Sequence, residues 1–488
     1  MMLTGMISVL LVGGVLSWLA AGWNALLSKY IALLAVVADF FLVGYWWFQF
    51  RGPAPSGSSW FIDYKTDWIP SFGIGFHVAM DGLSLVLLLL TFFLGILAVL
   101  CSWQEIKERT GFFFFNLLWT LAGISGVFVA MDLFLFYFFW EVMLVPMFFL
   151  ISIWGDSNRR YAAYKFFIFT QAGGLLMLLA ILALYFIHGQ QTGTYTFDYF
   201  SLLKTSIAPS AAKWILFGFL IAFAIKLPVV PFHNWLPDAH SEAPTAGSLL
   251  LAGLLLKTGA YGIIRFVLPL FPSESAAIAE WAILAGVIGI VYGALLAFAQ
   301  TDLKRLIAYT SVSHMGFVLL GIFSFREIAM QGAVMQMLTH GISTGALFVM
   351  AGMLKERLHT RDIEKMGGLW TFMPAMGGVA LLFTMASLGL PMLGNFIAEF
   401  LILLGTFSVS VPFAVIASFG LVLSALYSLR MVRKVFLGPA TAVLPLKDFS
   451  ARELLILAAM SVGIIALGLY PQPVIDMVRT TVRQLVTR

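Results

Sequence analysis

Long apolar runs separated by short polar stretches repeat along the whole chain, and about fourteen of them have the ~20 residues a helix needs to cross a hydrocarbon core. They fall at roughly 4–19, 30–48, 80–102, 112–129, 133–153, 161–187, 213–235, 245–268, 277–299, 303–323, 328–354, 372–407, 412–436 and 454–470. Two longer polar stretches, 51–75 and 189–212, read as loops outside the membrane. Runs of this length, without strict alternation, predict helices rather than a barrel, so the fold class is an all-α integral membrane protein. Two spans are irregular. The seventh meets Pro228, Pro231, Pro237 and Pro244 soon after Lys226, and proline removes a backbone donor and breaks the helix ladder. The twelfth is too long for one straight span and contains LGLPMLGNF around Pro391. Both are predicted to be discontinuous. Broken helices five spans apart are the usual mark of inverted-repeat transport folds.

Composition agrees with a membrane protein: the 488 residues are 61% hydrophobic and only 10% charged, where soluble domains carry about 25% charged residues. The net charge of +5 is read as membrane topology, and no nucleic-acid motif accompanies it. Loops on one side hold most of the basic residues, including Arg159, Arg160 and Lys165, Lys304 and Arg305, Lys355, Arg357, Arg361 and Lys365, and Arg430, Arg433 and Lys434. The other side holds fewer, among them Arg51, Arg265 and Arg488. The positive-inside rule then puts both termini outside. The first apolar run has no basic segment before it and is read as a retained helix. A single cysteine, Cys101, excludes an internal disulfide and a cysteine-ligated cluster in this chain. No phosphate loop, nucleotide fingerprint, nucleophile elbow or metal-ligand spacing occurs, so the chain is expected to carry no redox centre or cofactor itself.

The chemistry therefore rests on ionisable residues inside apolar spans. Lys226 and Lys257 sit deep in such runs, where a lysine costs roughly 2.5–3.5 kcal/mol on insertion scales. Glu141 lies midway along the fifth span and Glu399 follows the break in the twelfth. Intramembrane charges of this kind mark ion or proton pathways, and Glu141 is the natural partner for Lys226. At about 4 Å and an effective dielectric near 20 such a pair is worth roughly 4 kcal/mol, enough to act as a switch. His314 and His340 are candidate relays. His233 and His240, flanking the broken seventh span, are weaker candidates, with a structural role the competing reading. His77, His188 and His359 lie at span ends or in loops, and Asp302, Lys304 and Arg305 read as helix-cap and topology residues.

Several of these residues lie in long motifs: FFWEVMLVPM, VVPFHNWLPDAHSEAPTAGS with LLKTGAYG, AQTDLKRLIAYTSVSHMGF, MGGLW and LGLPMLGNFIAEF. With them, essentially the whole chain resembles the antiporter-like subunits of bacterial respiratory complex I. The resemblance implies fourteen helices with two inverted five-helix repeats, spans four to eight and nine to thirteen. It divides the chain into an N-terminal three-helix region (1–110), two repeats (111–270 and 271–438) and a C-terminal helix and tail (439–488). It implies proton translocation through Glu141, Lys226, Lys257 and Glu399, with His314 and His340 between them, driven by quinone reduction elsewhere in the complex. FMN, iron–sulfur clusters and quinone are then expected in partner subunits, and L-type and N-type antiporter-like subunits as membrane-arm neighbours in the bacterial inner membrane. The L and N relatives typically carry lysine where this chain has Glu399. Other function classes are a subunit of a multisubunit cation/proton antiporter or of a membrane-bound hydrogenase, and a structural membrane spacer.

Overall fold

The computed structural model describes residues 1–50, 59–439 and 446–486; Arg51 and Arg488, assigned above to the outer side, fall outside these described residues. Apolar composition gives thirteen helices among the described residues long enough to cross a membrane, and two shorter apolar helices make up a further broken span. In chain order they are α1 (Met2–Ala20), α2 (Ala25–Gln49), α3 (Gly82–Glu105), α4 (Thr110–Val129), α5 (Leu133–Trp154), α6 (Arg159–Thr192) and α7 (Pro209–Lys226). A short α8 (Trp235–Glu242) precedes α9 (Thr245–Leu270), α10 (Ala279–Ala299), α11 (Leu303–Phe323) and α12 (Glu327–Leu358). The broken twelfth span is α13 (Pro374–Ser387) and α14 (Gly394–Phe407), followed by α15 (Val411–Val435), α16 (Ala451–Leu469) and α17 (Gln472–Val486).

Three elements differ from the sequence reading. The stretch expected to be a loop pairs as an antiparallel hairpin, β1 (Trp60–Ile69) with β2 (Ile74–Asp81). The seventh span stops at Lys226 rather than continuing to residue 235; Pro228 and Pro231 lie in the break, whereas Pro237 lies in the first turn of α8, where no helical donor is needed. The tail folds as α17, whose Val474, Met477, Val478 and Val482 are buried at helical spacing.

Helices α9 and α12 are buried along their whole apolar stretches, whereas in α1, α2, α15 and α16 no more than 39% of the corresponding stretch is buried. Lys257 and Arg265 of α9 and His340 of α12 are thus enclosed by protein. The two sets of spans also share a detail at opposite ends of the bundle. Asp132 caps the start of α5 and bridges to Asp198 ahead of α7; Asp302 caps α11 and bridges to Asp362 ahead of α13. At the α11 end, Arg361 binds Asp156 at 2.9 Å, Glu242 at 3.2 Å and Asp302 at 3.0 Å, tying four connections together.

At the hairpin end, His77 is held between Asp198 Oδ2 at 2.6 Å and Asp63 Oδ1 at 2.8 Å, and Lys65 also donates to Asp198 at 2.9 Å. Burial opposes charging this histidine, but its two carboxylate partners outweigh it and raise its pKa above 6.5. A raised folded-state pKa stabilises below the unfolded value and is lost as pH rises through the folded value. The hairpin is therefore expected to loosen from the 196–202 loop as pH climbs above 6.5. Amide exchange of both segments, corrected for intrinsic rates, should show this pH dependence in the wild type and not in His77→Gln; identical profiles would remove His77 as the cause.

Candidate functional site

The break after α7 leaves Lys226 as the last helical residue, fully buried, with its Nζ lacking a hydrogen-bond partner among the described residues. The ammonium sits 5.2 Å from the Trp140 ring centroid and 5.3 Å from that of Phe166, positions that favour a cation. The Trp235 indole donates to the Ile225 carbonyl at 2.9 Å, so a side chain replaces a backbone donor lost at the break.

Glu141 is half-buried on α5 and accepts from Gln171 Nε2 at 3.3 Å. It lies within electrostatic reach of Lys226, yet no Glu141–Lys226 ion pair within 4 Å is found among the described residues. The closed pair expected from sequence is therefore open in this structure. The ammonium rests against the aromatic rings instead.

Lys257 occupies the middle of α9 between two π-helical turns, Leu251–Leu255 and Ile263–Val267; such turns commonly mark functional positions. Its Nζ donates to the Ala252 carbonyl and lies 2.7 Å from His340 Nδ1. Gly259 lets α9 approach α7 closely: a β-carbon there would lie 2.7 Å from the Phe223 carbonyl oxygen and 3.1 Å from Lys226 Cβ. The two lysines are thereby held on adjoining helices.

From Lys257 the polar groups continue sideways through the second half of the molecule. The His340 and His314 rings are 5.6 Å apart, centre to centre. His314 Nδ1 lies 3.0 Å from Glu399 Oε1, and Gln336 Nε2 donates to the same oxygen at 3.2 Å. His314 Nε2 faces Ser387 Oγ at 3.3 Å, at the break between α13 and α14. Lys257, His340, His314 and Glu399 therefore form one buried row. His240 is buried against Phe348 with a ring separation of 4.6 Å and has both nitrogens unpartnered among the described residues. It lies near the row, close enough for Lys257 and Lys304 to act on it. His233 does not join; its ring packs 5.6 Å from Tyr292 in the break after α7.

Sequence reasoning missed the polar stripe that accompanies this row. Gln336, Thr339, Ser343 and Thr344 are all buried on α12 with His340, and each has a polar atom lacking a protein partner. Their spacing of three and four residues places them on one helix face, a signal present in QMLTHGIST. Buried polar atoms of this kind are satisfied by bound water in well-packed proteins. Lys304, read as a topology residue, is also buried and donates to the Ala243 carbonyl at 2.8 Å.

A family model described as NADH:quinone oxidoreductase/Mrp antiporter, transmembrane, matches residues 130–424, which contain every member of this row. The chain belongs to this family. Family relatives named NADH-quinone oxidoreductase subunit M include one from Pseudomonas aeruginosa, 54% identical and covering 98% of this chain and 96% of the relative. Another, from Escherichia coli K12, is 50% identical with the same coverage of 98% and 96%. Among solved structures, respiratory complex I from Thermus thermophilus contains a chain that matches with a TM-score of 0.88 at 29% identity, covering 99% of both chains. The Mrp complex from Dietzia matches with a TM-score of 0.86 at 20% identity, covering 99% of this chain and 97% of that one, and shares the fold.

Proposed function

We propose that this chain is the M-type membrane subunit of a bacterial NADH:quinone oxidoreductase and that it translocates protons through the row Lys257–His340–His314–Glu399. The observation that carries the reading is that continuous buried row, joined by contacts of 2.7 Å and 3.0 Å at its two ends. Full-length identity of 54% to a relative named as subunit M supports the assignment to the complex. Electron transfer and its cofactors would belong to partner subunits, with L-type and N-type subunits as neighbours. The positive-inside rule puts the Arg361 end in the cytoplasm and both termini outside. The matching Asp132–Asp198 and Asp302–Asp362 bridges at opposite ends support two inverted repeats.

In this mechanism the Lys257 ammonium gives its proton to His340 Nδ1. His340 passes a proton from Nε2 towards His314 through the polar stripe of α12, and Glu399 receives it next to His314 Nδ1. Glu141 governs loading: closing to about 4 Å of Lys226 would favour the charged lysine by roughly 4 kcal/mol, and opening returns that energy. This is comparable with the ~2.3 kcal/mol needed to move one charge against each 100 mV.

The test is NADH-driven acidification of inverted membrane vesicles containing quantified, assembled complex. Glu141→Gln and Lys226→Ala should each lose most proton pumping while the complex stays assembled. Normal pumping in both variants sinks the loading role of the pair; loss of assembly would make it structural.

A further inference from the structure

Arg265, counted above with the outer-side basic residues, lies near the hairpin end of α9 with its side chain only 5% exposed. It follows Lys257 by eight residues, about 12 Å along a helix. Arg265 sits in a hydrogen-bonded layer with Asp81, Tyr261, Ser84 and Thr481. Arg265 Nη2 donates to Asp81 Oδ2 at 2.7 Å, and Nε donates to the Tyr261 hydroxyl at 3.2 Å. That hydroxyl donates to the Phe128 carbonyl at 2.9 Å and lies 3.4 Å from Ser84 Oγ. Asp81 Oδ1 accepts from the Ser84 backbone N–H at 3.0 Å, and Oδ2 accepts from Thr481 Oγ1 of α17 at 2.9 Å. The guanidinium also lies 4.7 Å from the centre of the Trp60 ring on the hairpin.

None of Arg265, Asp81, Tyr261, Ser84 and Thr481 has an unpartnered buried side-chain atom, in contrast to the row and stripe on the other side of Lys257, where His240, His340, Gln336, Thr339, Ser343 and Thr344 all do. The unpartnered atoms of the second group offer sites for water, whereas the carboxylate, the hydroxyls and two of the guanidinium nitrogens of the first are already engaged with one another. On the far side of Asp81 a cavity of about 340 Å³ is bounded in part by Ser59, Gly82, Asp476, Thr480 and Thr481. The cavity's lining residue Thr481 donates to Asp81, which in turn holds Arg265 against Tyr261, so the ionic layer lies between this space and Tyr261. Helix α17 is pressed onto that layer, since a β-carbon at Gly82 would lie 1.8 Å from the Met477 carbonyl oxygen.

We propose that Arg265, locked to Asp81 beneath the C-terminal helix, is a proton barrier that closes the hairpin end of the Lys257 site and directs the proton on Lys257 towards His340. A guanidinium stays charged throughout the physiological range and offers only donors, so it repels a proton and cannot relay one. Fixed arginines exclude protons from membrane pores by the same electrostatics. The inference rests on the proposed proton row, because a barrier matters only if Lys257 carries a mobile proton.

The experiment measures passive proton flux into liposomes holding the purified complex, driven by a potassium diffusion potential with no NADH present. Arg265→Gln should leak several-fold faster than wild type, and Arg265→Lys, which keeps a charge, should fall between. The double variant Arg265→Gln with Lys257→Met should return to the wild-type rate, because the route runs through Lys257. Gly82→Ala alters no charge but displaces α17 from the layer, and Thr481→Val removes one Asp81 contact; both should leak measurably. A wild-type rate in Arg265→Gln, or a leak that persists in the double variant, overturns the barrier. If Arg265→Gln does not assemble, wild-type rates in both Gly82→Ala and Thr481→Val overturn it. Failure of the proton row itself appears separately, as normal NADH-driven pumping in Lys257→Met.

Discussion

Lys257→Met is expected to reduce NADH-driven proton pumping to background while the complex remains assembled. Lys257 is fully buried, and among the described residues its ammonium meets the Ala252 carbonyl and His340. Methionine has a similar length, fills irregular apolar space and carries no proton. Methionine leaves His340 Nδ1 and the Ala252 carbonyl without their lysine donor, at a cost of about 1–3 kcal/mol each, so assembled complex is quantified alongside pumping. Loss of pumping would then report on chemistry rather than folding. Lys257→Arg separates two meanings of the positive charge. Arginine keeps the charge but does not release its proton near neutral pH, so pumping should fail in this variant too. Wild-type pumping with arginine would mean that the site needs only a cation, and the row would not be a relay. Acidification of inverted vesicles, normalised to assembled complex, gives the answer for both variants.

The second large effect is expected at Glu399. Glu399→Gln keeps shape and polarity but removes the titrating group, so pumping should again fall to near background with assembly intact. Glu399→Lys is more informative. Gln336 Nε2 now donates to Glu399 Oε1, while Gln336 Oε1 is unpartnered among the described residues. A turn of that amide would offer a lysine an acceptor, and neutral His314 would offer Nδ1 as another. The existing site can therefore accept either end of an acid–base pair, in line with the expectation from the resemblance that L and N subunits carry lysine here. Glu399→Lys should keep measurable pumping, above that of Glu399→Gln. Pumping in Glu399→Gln equal to wild type would remove residue 399 from the proton path.

The positions of the spans and of most of the row were legible because apolar length and buried charge are local properties. Lys226, Lys257 and Glu399 stand out against their flanking residues without any knowledge of their neighbours. His314 and His340 were legible as titratable groups, but their alignment depends on α11 and α12 packing together. The burial of Arg265 was not legible, because an arginine near the end of an apolar run looks like a span boundary. Its partner, Asp81, lies 184 residues away in sequence. Lys304 failed for the same reason, since the carbonyl that holds it belongs to Ala243. The gap between Glu141 and Lys226 was illegible in a different way. Residue types say that two charges attract, whereas the aromatic rings beside Lys226 decide where the ammonium rests.

The complete burial of α9 bears on how the protein is made. This segment carries both Lys257 and Arg265, and its mean hydropathy of 1.5 is well below the 2.9 of α3 beside it. Lys257, at the middle of the helix, opposes insertion by roughly 2.5–3.5 kcal/mol, and Arg265 near its end adds a smaller cost. On its own, α9 is a poor candidate to enter lipid from the translocation machinery. Asp81, which neutralises Arg265, stands at the start of α3 and has been synthesised long before. His340, which receives Lys257, arrives more than eighty residues later on α12. The nascent chain must therefore hold α9 against α3 at the edge of the bilayer until α12 is made. Lys257 is expected to gain its His340 partner only once α12 has been made, which leaves α9 the last of these three helices to be enclosed.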